Sequence, residues 1–300
     1  MLAIAYDSIY RLPLPERHRF PMEKYELLPR QLLHEGLCQE ADFHAPEKAS
    51  YEIVCAVHDS DYVDRLLNKE LDAKEVRAIG FPLTTQLIER EFIIAGGTIW
   101  GCHQALEKGI AFNIAGGTHH AFKAHGEAFC LLNDQAIAAQ YLLDTQLAKQ
   151  ILIVDLDVHQ GNGTAEIFSQ EPSVFTFSMH GAKNYPFRKE QSDLDIEMED
   201  NCSDSTFLTV LEKKLPELID SVQPDFVFYL SGVDVLATDK LGRLGMSLAG
   251  CKERDRLLLA LCASRNIPVQ CSMGGGYSES IKTIIEAHAN TYRVGYELFT

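Results

Sequence analysis

An α/β fold, with a mainly parallel central sheet covered by helices on both faces, is predicted by three features of the sequence. Short apolar runs are rich in β-branched residues, longer stretches carry helical periodicity, and the two kinds of segment alternate along the chain. Such alternation means βαβ crossovers and therefore parallel strands. The 300 residues, 46% apolar and 23% charged, suffice for one sizeable core. No internal repeat, low-complexity tract or Pro/Gly/Ser linker divides them, so residues 1–300 are expected to form a single domain.

Taken in order, Leu2 to Tyr6 reads as the first strand, followed by helical patterns at Asp59 to Leu67 and Ile88 to Lys108. Ile110 to Ile114 is the next strand and Asp134 to Leu143 the next helix. The apolar runs Ile151 to Val158 and Val174 to Met179 are strands, and helix Thr206 to Ser221 leads to strand Phe226 to Ser231. Helix Ser247 to Ser264, strand Val269 to Met273 and helix Ser278 to Tyr296 close the chain.

Composition narrows the function. No stretch approaches the roughly 18 uninterrupted apolar residues of a membrane span. The opening MLAIAYDSIY lacks the basic region and cleavage site of a signal peptide, so a cytoplasmic protein with no membrane partner is expected. The eight cysteines are scattered, without a CxxC pair, and are expected to be reduced and mostly buried. A formal net charge of -16 argues against direct nucleic-acid binding, which needs a basic surface. That field would suit a cationic substrate, although an acidic surface that merely keeps the protein soluble explains it more simply.

In a parallel sheet, ligands bind beyond the carboxyl ends of the strands. Polar residues gather there four times, as GGTHH, DLDVH, SGVD and MGGGY. A buried strand that ends in two acids and a histidine needs something to compensate the charge. Strand alternation puts Asp155, Asp157 and His159 on one face. A lone DxDxH also suits a hydrogen-bonded strand end, but Asp234 leaves another apolar strand in the same manner. Two carboxylates and one imidazole would neutralise a divalent cation and leave coordination positions open, as in a catalytic zinc site. Asp157, His159 and Asp234 are therefore the expected ligands, with Asp155 as an acceptor for a histidine. The oxygen-rich set also suits Fe2+, Mn2+ or Co2+.

His119 and His120 follow Gly116 and Gly117, on a turn able to aim both rings into one pocket, although two surface histidines would give the same dipeptide. Imidazole suits both proton removal from water and protonation of a leaving amine. In SMGGGYSES the glycines permit close backbone approach, and Tyr277 is expected to open a helix. There it would donate to an oxyanion, or else be a buried structural tyrosine. The Lys and GKS/T ending of a phosphate loop are missing.

In this order, RFPMEKYELLP, GGTHHA, FCLLND, DLDVHQGNGT, FSMHG, YLSGVD and GGGY resemble the histone deacetylase family, and within it class IV and related bacterial deacetylases. The resemblance runs over almost the whole chain. It implies an arginase/deacetylase-like three-layer fold with a central sheet of about eight strands. It implies that Asp157, His159 and Asp234 bind Zn2+, that His119 and His120 carry protons with Asp155 and Asn162 as their partners, and that Tyr277 polarises the scissile carbonyl. Phe129 would wall the substrate tunnel, with Tyr185, Leu241 and Gly117 beside it. Asp155, Asp157, His159, Ser178 and Met179 stand where the family binds a structural K+.

The sequence departs from the family pattern twice. Asn162 replaces an aspartate found in some branches, which favours a neutral His120 able to act as base. The segment AIGFPLT lacks the acid with which class I enzymes grip the substrate backbone. The expected activity is metal-dependent removal of acetyl or other acyl groups from lysine side chains of a peptide or protein. An acetylpolyamine or other small acylated amine is the alternative substrate, and a catalytically silent acyl-lysine binding module the less favoured one. A ureohydrolase would need a second metal and ligands that this sequence lacks.

Overall fold

A computed structural model describes residues 2–300. Eight strands, β1 (Ile4–Ala5), β2 (Phe43–His44), β3 (Ile110–Asn113), β4 (Ile151–Asp155), β5 (Val174–Gly181), β6 (Leu194–Met198), β7 (Phe226–Leu230) and β8 (Val269–Ser272), form one sheet. Their order is β2-β1-β3-β8-β7-β4-β5-β6, and every neighbouring pair is parallel. The helices are α1 (Lys24–His34), α2 (Tyr51–Cys55), α3 (Ser60–Leu67), α4 (Ala73–Ile79), α5 (Thr85–Lys108), α6 (Asp134–Asp144), α7 (Asn162–Phe168), α8 (Asp204–Val222), α9 (Leu248–Arg265) and α10 (Ile281–Phe299). The single-domain α/β architecture expected from the alternation is thus observed.

The central strands β3, β8, β7 and β4 are buried at every residue, which requires cover on both faces. Continuous apolar runs result, because no position faces water. Two strands escape the sequence reading for physical reasons. β2 has only two residues, and β6 is an edge strand whose apolar residues alternate with Asp195 and Glu197.

Two local expectations need correction. The strand expected over Ile151 to Val158 ends at Asp155, so alternation along a strand does not align Asp155, Asp157 and His159. Side-chain turns do that instead: Asp155 Oδ1 accepts from Asp157 N at 3.1 Å, and Asp157 Oδ1 accepts from His159 N at 3.0 Å. Nor does Tyr277 open a helix. α10 begins at Ile281, capped by the Ser280 side chain, and Tyr277 lies in the loop before it.

Helix α5 crosses the 47–49 segment at Gly96, where an added Cβ would sit 1.8 Å from the Glu47 carbonyl oxygen. Ala49 N fastens this segment to Phe92 O at 3.0 Å. Alanine is favoured over glycine in a helix by about 0.8–1.0 kcal/mol, but overpacking that forces main chain apart costs about 1–3 kcal/mol. The clash wins because its partner is main chain. Gly96→Ala is expected to lower the urea midpoint, and a midpoint raised by the propensity gain would show that the crossing yields freely.

Candidate active site and metal centre

The four polar motifs leave four adjacent strands, β3, β8, β7 and β4, so residues far apart in sequence meet over the middle of the sheet. Asp157, His159 and Asp234 each offer a ligand atom, and these atoms lie within 4.8 Å of one another. All three residues are buried. His159 Nδ1 lies 3.0 Å from Asp157 Oδ1 and 3.2 Å from Asp234 Oδ2. Backbone amides hold the carboxylates: Val158 N donates to Asp234 Oδ1 and Gly275 N to Asp157 Oδ2, each at 2.9 Å.

The donor set fits a divalent cation. Asp234 Oδ2 is buried with no polar neighbour but His159 Nδ1, 3.2 Å away and outside good hydrogen-bond geometry, an arrangement that costs free energy unless a positive charge meets it. Burial and the neighbouring charge on Asp157 push the Asp234 carboxyl up to about 7. Burial opposes charging of His159, but its contacts with Asp157 and Asp234 win and raise it to about 10. This is crowded negative charge that a cation relieves, with release of protons. The surroundings leave little slack. A Cβ on Gly275 would lie 2.0 Å from Asp234 Oδ2 and 2.7 Å from Asp157 Oδ2.

His119 and His120 sit beside this cluster, their ring centroids 4.1 Å apart. His119 Nδ1 donates to Asp155 Oδ2 at 2.6 Å. Burial disfavours the charged ring, yet Asp155 outweighs it and raises the His119 pKa. His120 Nδ1 lies 2.6 Å from the neutral Asn162 Oδ1. Burial, then the charges of His119 and His159, holds His120 well below the usual histidine range. Adjacent in sequence, the two rings shift in opposite directions, because the Asp155 carboxylate overcomes burial at His119 while His120, bonded to a neutral amide, is left to burial and its cationic neighbours. The turn that presents them needs its glycine: Gly117 has φ +73°, and a Cβ there would meet the Gly274 backbone at 2.9 Å.

A cavity of about 470 Å³ opens over the cluster, lined by His119, His120, Asp157, His159 and Tyr277. Phe129, Tyr185, Leu241 and Gly117 line it too, while Asp155, Asn162 and Asp234 stand behind. Tyr277 has its phenol pushed well above the ordinary value by burial and by Asp234 and Asp157, which keeps it a donor. Ser178 pairs in register with Asp155, and Gly181 N donates to Val158 O at 2.9 Å, so Ser178 and Met179 run alongside the Asp155 to His159 segment.

Several positioning contacts gave no sequence signal. Asp239 accepts from Tyr277 N at 2.6 Å and from Leu241 N and Gly242 N at 2.8 and 2.9 Å, tying the tyrosine to the opposite wall. Ala128 and Phe129 both adopt positive φ, 43° and 72°, held by hydrogen bonds to Ala78 O and Ile79 O. Such local strain persists only where the surroundings over-determine it. Lys24, fully buried, donates from Nζ to Gly274 O at 3.0 Å, and burial lowers its pKa to about 8 against the pull of Asp234 and Asp157.

Arg254 is the largest fully buried side chain. Its Nη1 donates to Leu156 O at 3.0 Å and to Gly232 O at 2.5 Å, gripping both loops that carry the carboxylates. Asp255 pairs with it at 2.7 Å and also accepts from Tyr229 and Thr291.

A histone deacetylase domain profile matches residues 18–292. The chain is 42% identical over 296 residues to an uncharacterized protein of Picosynechococcus sp., covering 99% of each. It is 28% identical to histone deacetylase 2 of Arabidopsis thaliana, over 95% of this chain and 76% of that one. The crystal structure of a histone deacetylase homolog complexed with SAHA superposes with a TM-score of 0.81 at 24% identity, covering 98% of this chain and 82% of that one.

Arg254→Met leaves Asp255 buried without its charge partner and frees the Leu156 and Gly232 carbonyls, a change worth about 3–5 kcal/mol of stability. Urea unfolding is expected to register that loss; a variant within about 0.5 kcal/mol of the parent, the range of neutral surface changes, would show that Arg254 does not hold the loops.

Proposed function

Because the chain belongs to the histone deacetylase family, we propose that its cavity removes acetyl or other acyl groups from lysine side chains by metal-assisted amide hydrolysis. The observation that carries this reading is the convergence of Asp157, His159 and Asp234 beside two histidines with opposed pKa shifts. Asp157, His159 and Asp234 would hold a divalent cation, zinc by preference; when bound it supplies Lewis acidity that polarises the amide carbonyl and makes water easier to deprotonate. We also assign a structural potassium to Asp155, Asp157, His159, Ser178 and Met179, at the adjoining ends of β4 and β5.

The residues divide the remaining work. Phe129, Tyr185 and Leu241 enclose the aliphatic lysine stem and exclude water from it. Asn162 occupies His120 Nδ1, so Nε2 is the nitrogen left to take a proton from the attacking water. Tyr277 donates to the carbonyl oxygen as negative charge develops there. A protonated imidazole of the pair then gives its proton to the departing amine, and His119, raised by Asp155, carries positive charge readily. A carboxylate and a free amine leave.

Assay of acetyl-lysine peptides tests the reading. Hydrolysis is expected, lost with a chelator and restored by a divalent cation. Tyr277→Phe is expected to lower kcat about 10²–10³-fold, the usual cost of one oxyanion donor, with metal content unchanged. A fully active variant would sink the role of Tyr277, and activity indifferent to chelation would sink the metal.

A pH profile tests the base. His120 works neutral, and its lowered pKa keeps it so into acid. Asn162→Asp places a carboxylate on Nδ1, stabilises the imidazolium and raises the His120 pKa. The acid limb of kcat/KM is therefore expected to move to higher pH, and an unmoved or lowered limb would remove His120 from that role.

A further inference from the structure

The mouth of the cavity is lined by charge opposite to the chain's, although Glu16, Glu23 and Glu279 line the adjoining groove that shares Arg19 and Lys240. Its exposed charged lining side chains are Arg19, Lys183, Lys240 and Arg243, whereas the one lining carboxylate among the described residues is Asp157, buried at the floor. The chain carries 43 acidic against 27 basic residues, so an even spread would place acids here. The net charge thus misleads about the charge a substrate meets, because the field in a cleft is set by its walls.

Two of the four cations are already engaged. Arg243 forks onto Asp200 at 2.6 and 3.0 Å, and Lys183 stands 3.9 Å from both Glu199 and Asp200. Arg19 and Lys240 form no ion pair among the described residues. Each is carried on backbone fixed beside the cavity. The Arg19 guanidinium lies 4.9 Å over the Phe129 ring, and its neighbours are anchored by His18 Nε2 on Gly80 O at 2.9 Å and by Phe20 packed 5.1 Å from Phe129. Lys240 sits between Asp239, which holds Tyr277 N, and Leu241 in the cavity wall.

We propose that the acylated amine taken by this site carries a negative group just outside the tunnel, where Arg19 and Lys240 receive it. This rests on the amide-hydrolase reading of the cavity. Acyl-lysine flanked by Asp or Glu in a peptide, or a small acylated amino acid with a free carboxylate, presents that chemistry. A polyamine or a Lys/Arg-rich tail brings like charge to both cations. Exposed charge contacts change affinity by about two- to fivefold each, so two of them compound to roughly tenfold.

The experiment uses two acetyl-lysine peptides that differ only in flanks of Asp or of Arg, assayed at low and high salt. The Asp peptide is expected to have a kcat/KM about tenfold higher, a gap that narrows with salt. The double variant Arg19→Glu/Lys240→Glu is expected to reverse the order. Equal rates combined with no preference for the free acid of Nε-acetyl-lysine over its amide, an Arg preference, a gap untouched by the double variant, or acetylspermidine turned over faster than the Asp peptide would each overturn the proposal. Fluorescence anisotropy of the same labelled peptides separates the two readings: tighter binding of the Asp peptide without hydrolysis of either sinks the hydrolase and leaves the cationic mouth standing. Nε-acetyl-lysine with a free carboxylate, set against its amide, tells the sources apart. Preference for the free acid without a flank effect points to a small molecule, and a flank effect to an acidic protein segment.

Discussion

Negative charge forced into a dry interior is the constraint around which this molecule is arranged. Asp157 and Asp234 lie in the loops that leave the neighbouring strands β4 and β7, buried where a carboxylate without compensation costs several kcal/mol. Several close neighbours answer that cost. Val158 and Gly275 amides donate to the oxygens, Lys24 brings a buried cation within electrostatic reach, and Arg254 clamps the carbonyls on either side. Asp234 Oδ2 is still met only by His159 Nδ1 at 3.2 Å, and a bound cation is what the remaining geometry suits.

The same economy of partners differentiates the two histidines. They share a turn, a depth and a chemical type, so their difference comes from the second atom each touches: a carboxylate for His119, an amide for His120. The Asp155 carboxylate, 36 residues from His119 in sequence, makes that ring the easier of the two to charge.

How much of this was legible in the sequence depended on whether a signal was local. The buried strands could be read because cover on both faces demands unbroken apolar runs, and the polar motifs stood out because charge at the end of such a run is anomalous. β6 was hidden by its acids, and α2, α4 and α7, at five to seven residues each, are too short for a period to repeat. Arg254 lies among Lys252, Glu253 and Arg256 and reads as part of a solvated face; only the fold reveals that it is buried. Lys24, beside Glu23 and Glu26, was silent for the same reason. The face shared by Asp155, Asp157 and His159 was inferred from strand geometry, whereas successive side-chain turns create it.

The strand order leaves the sheet open at both sides, and an open parallel sheet is a template on which further chains anneal. Here the outermost strands are poor templates. β2 offers two residues, and β6 interrupts its apolar positions with Asp195 and Glu197. Short or acid-bearing borders of this kind discourage edge-to-edge aggregation, so the strands hardest to recognise are those that keep copies of the protein apart while it folds.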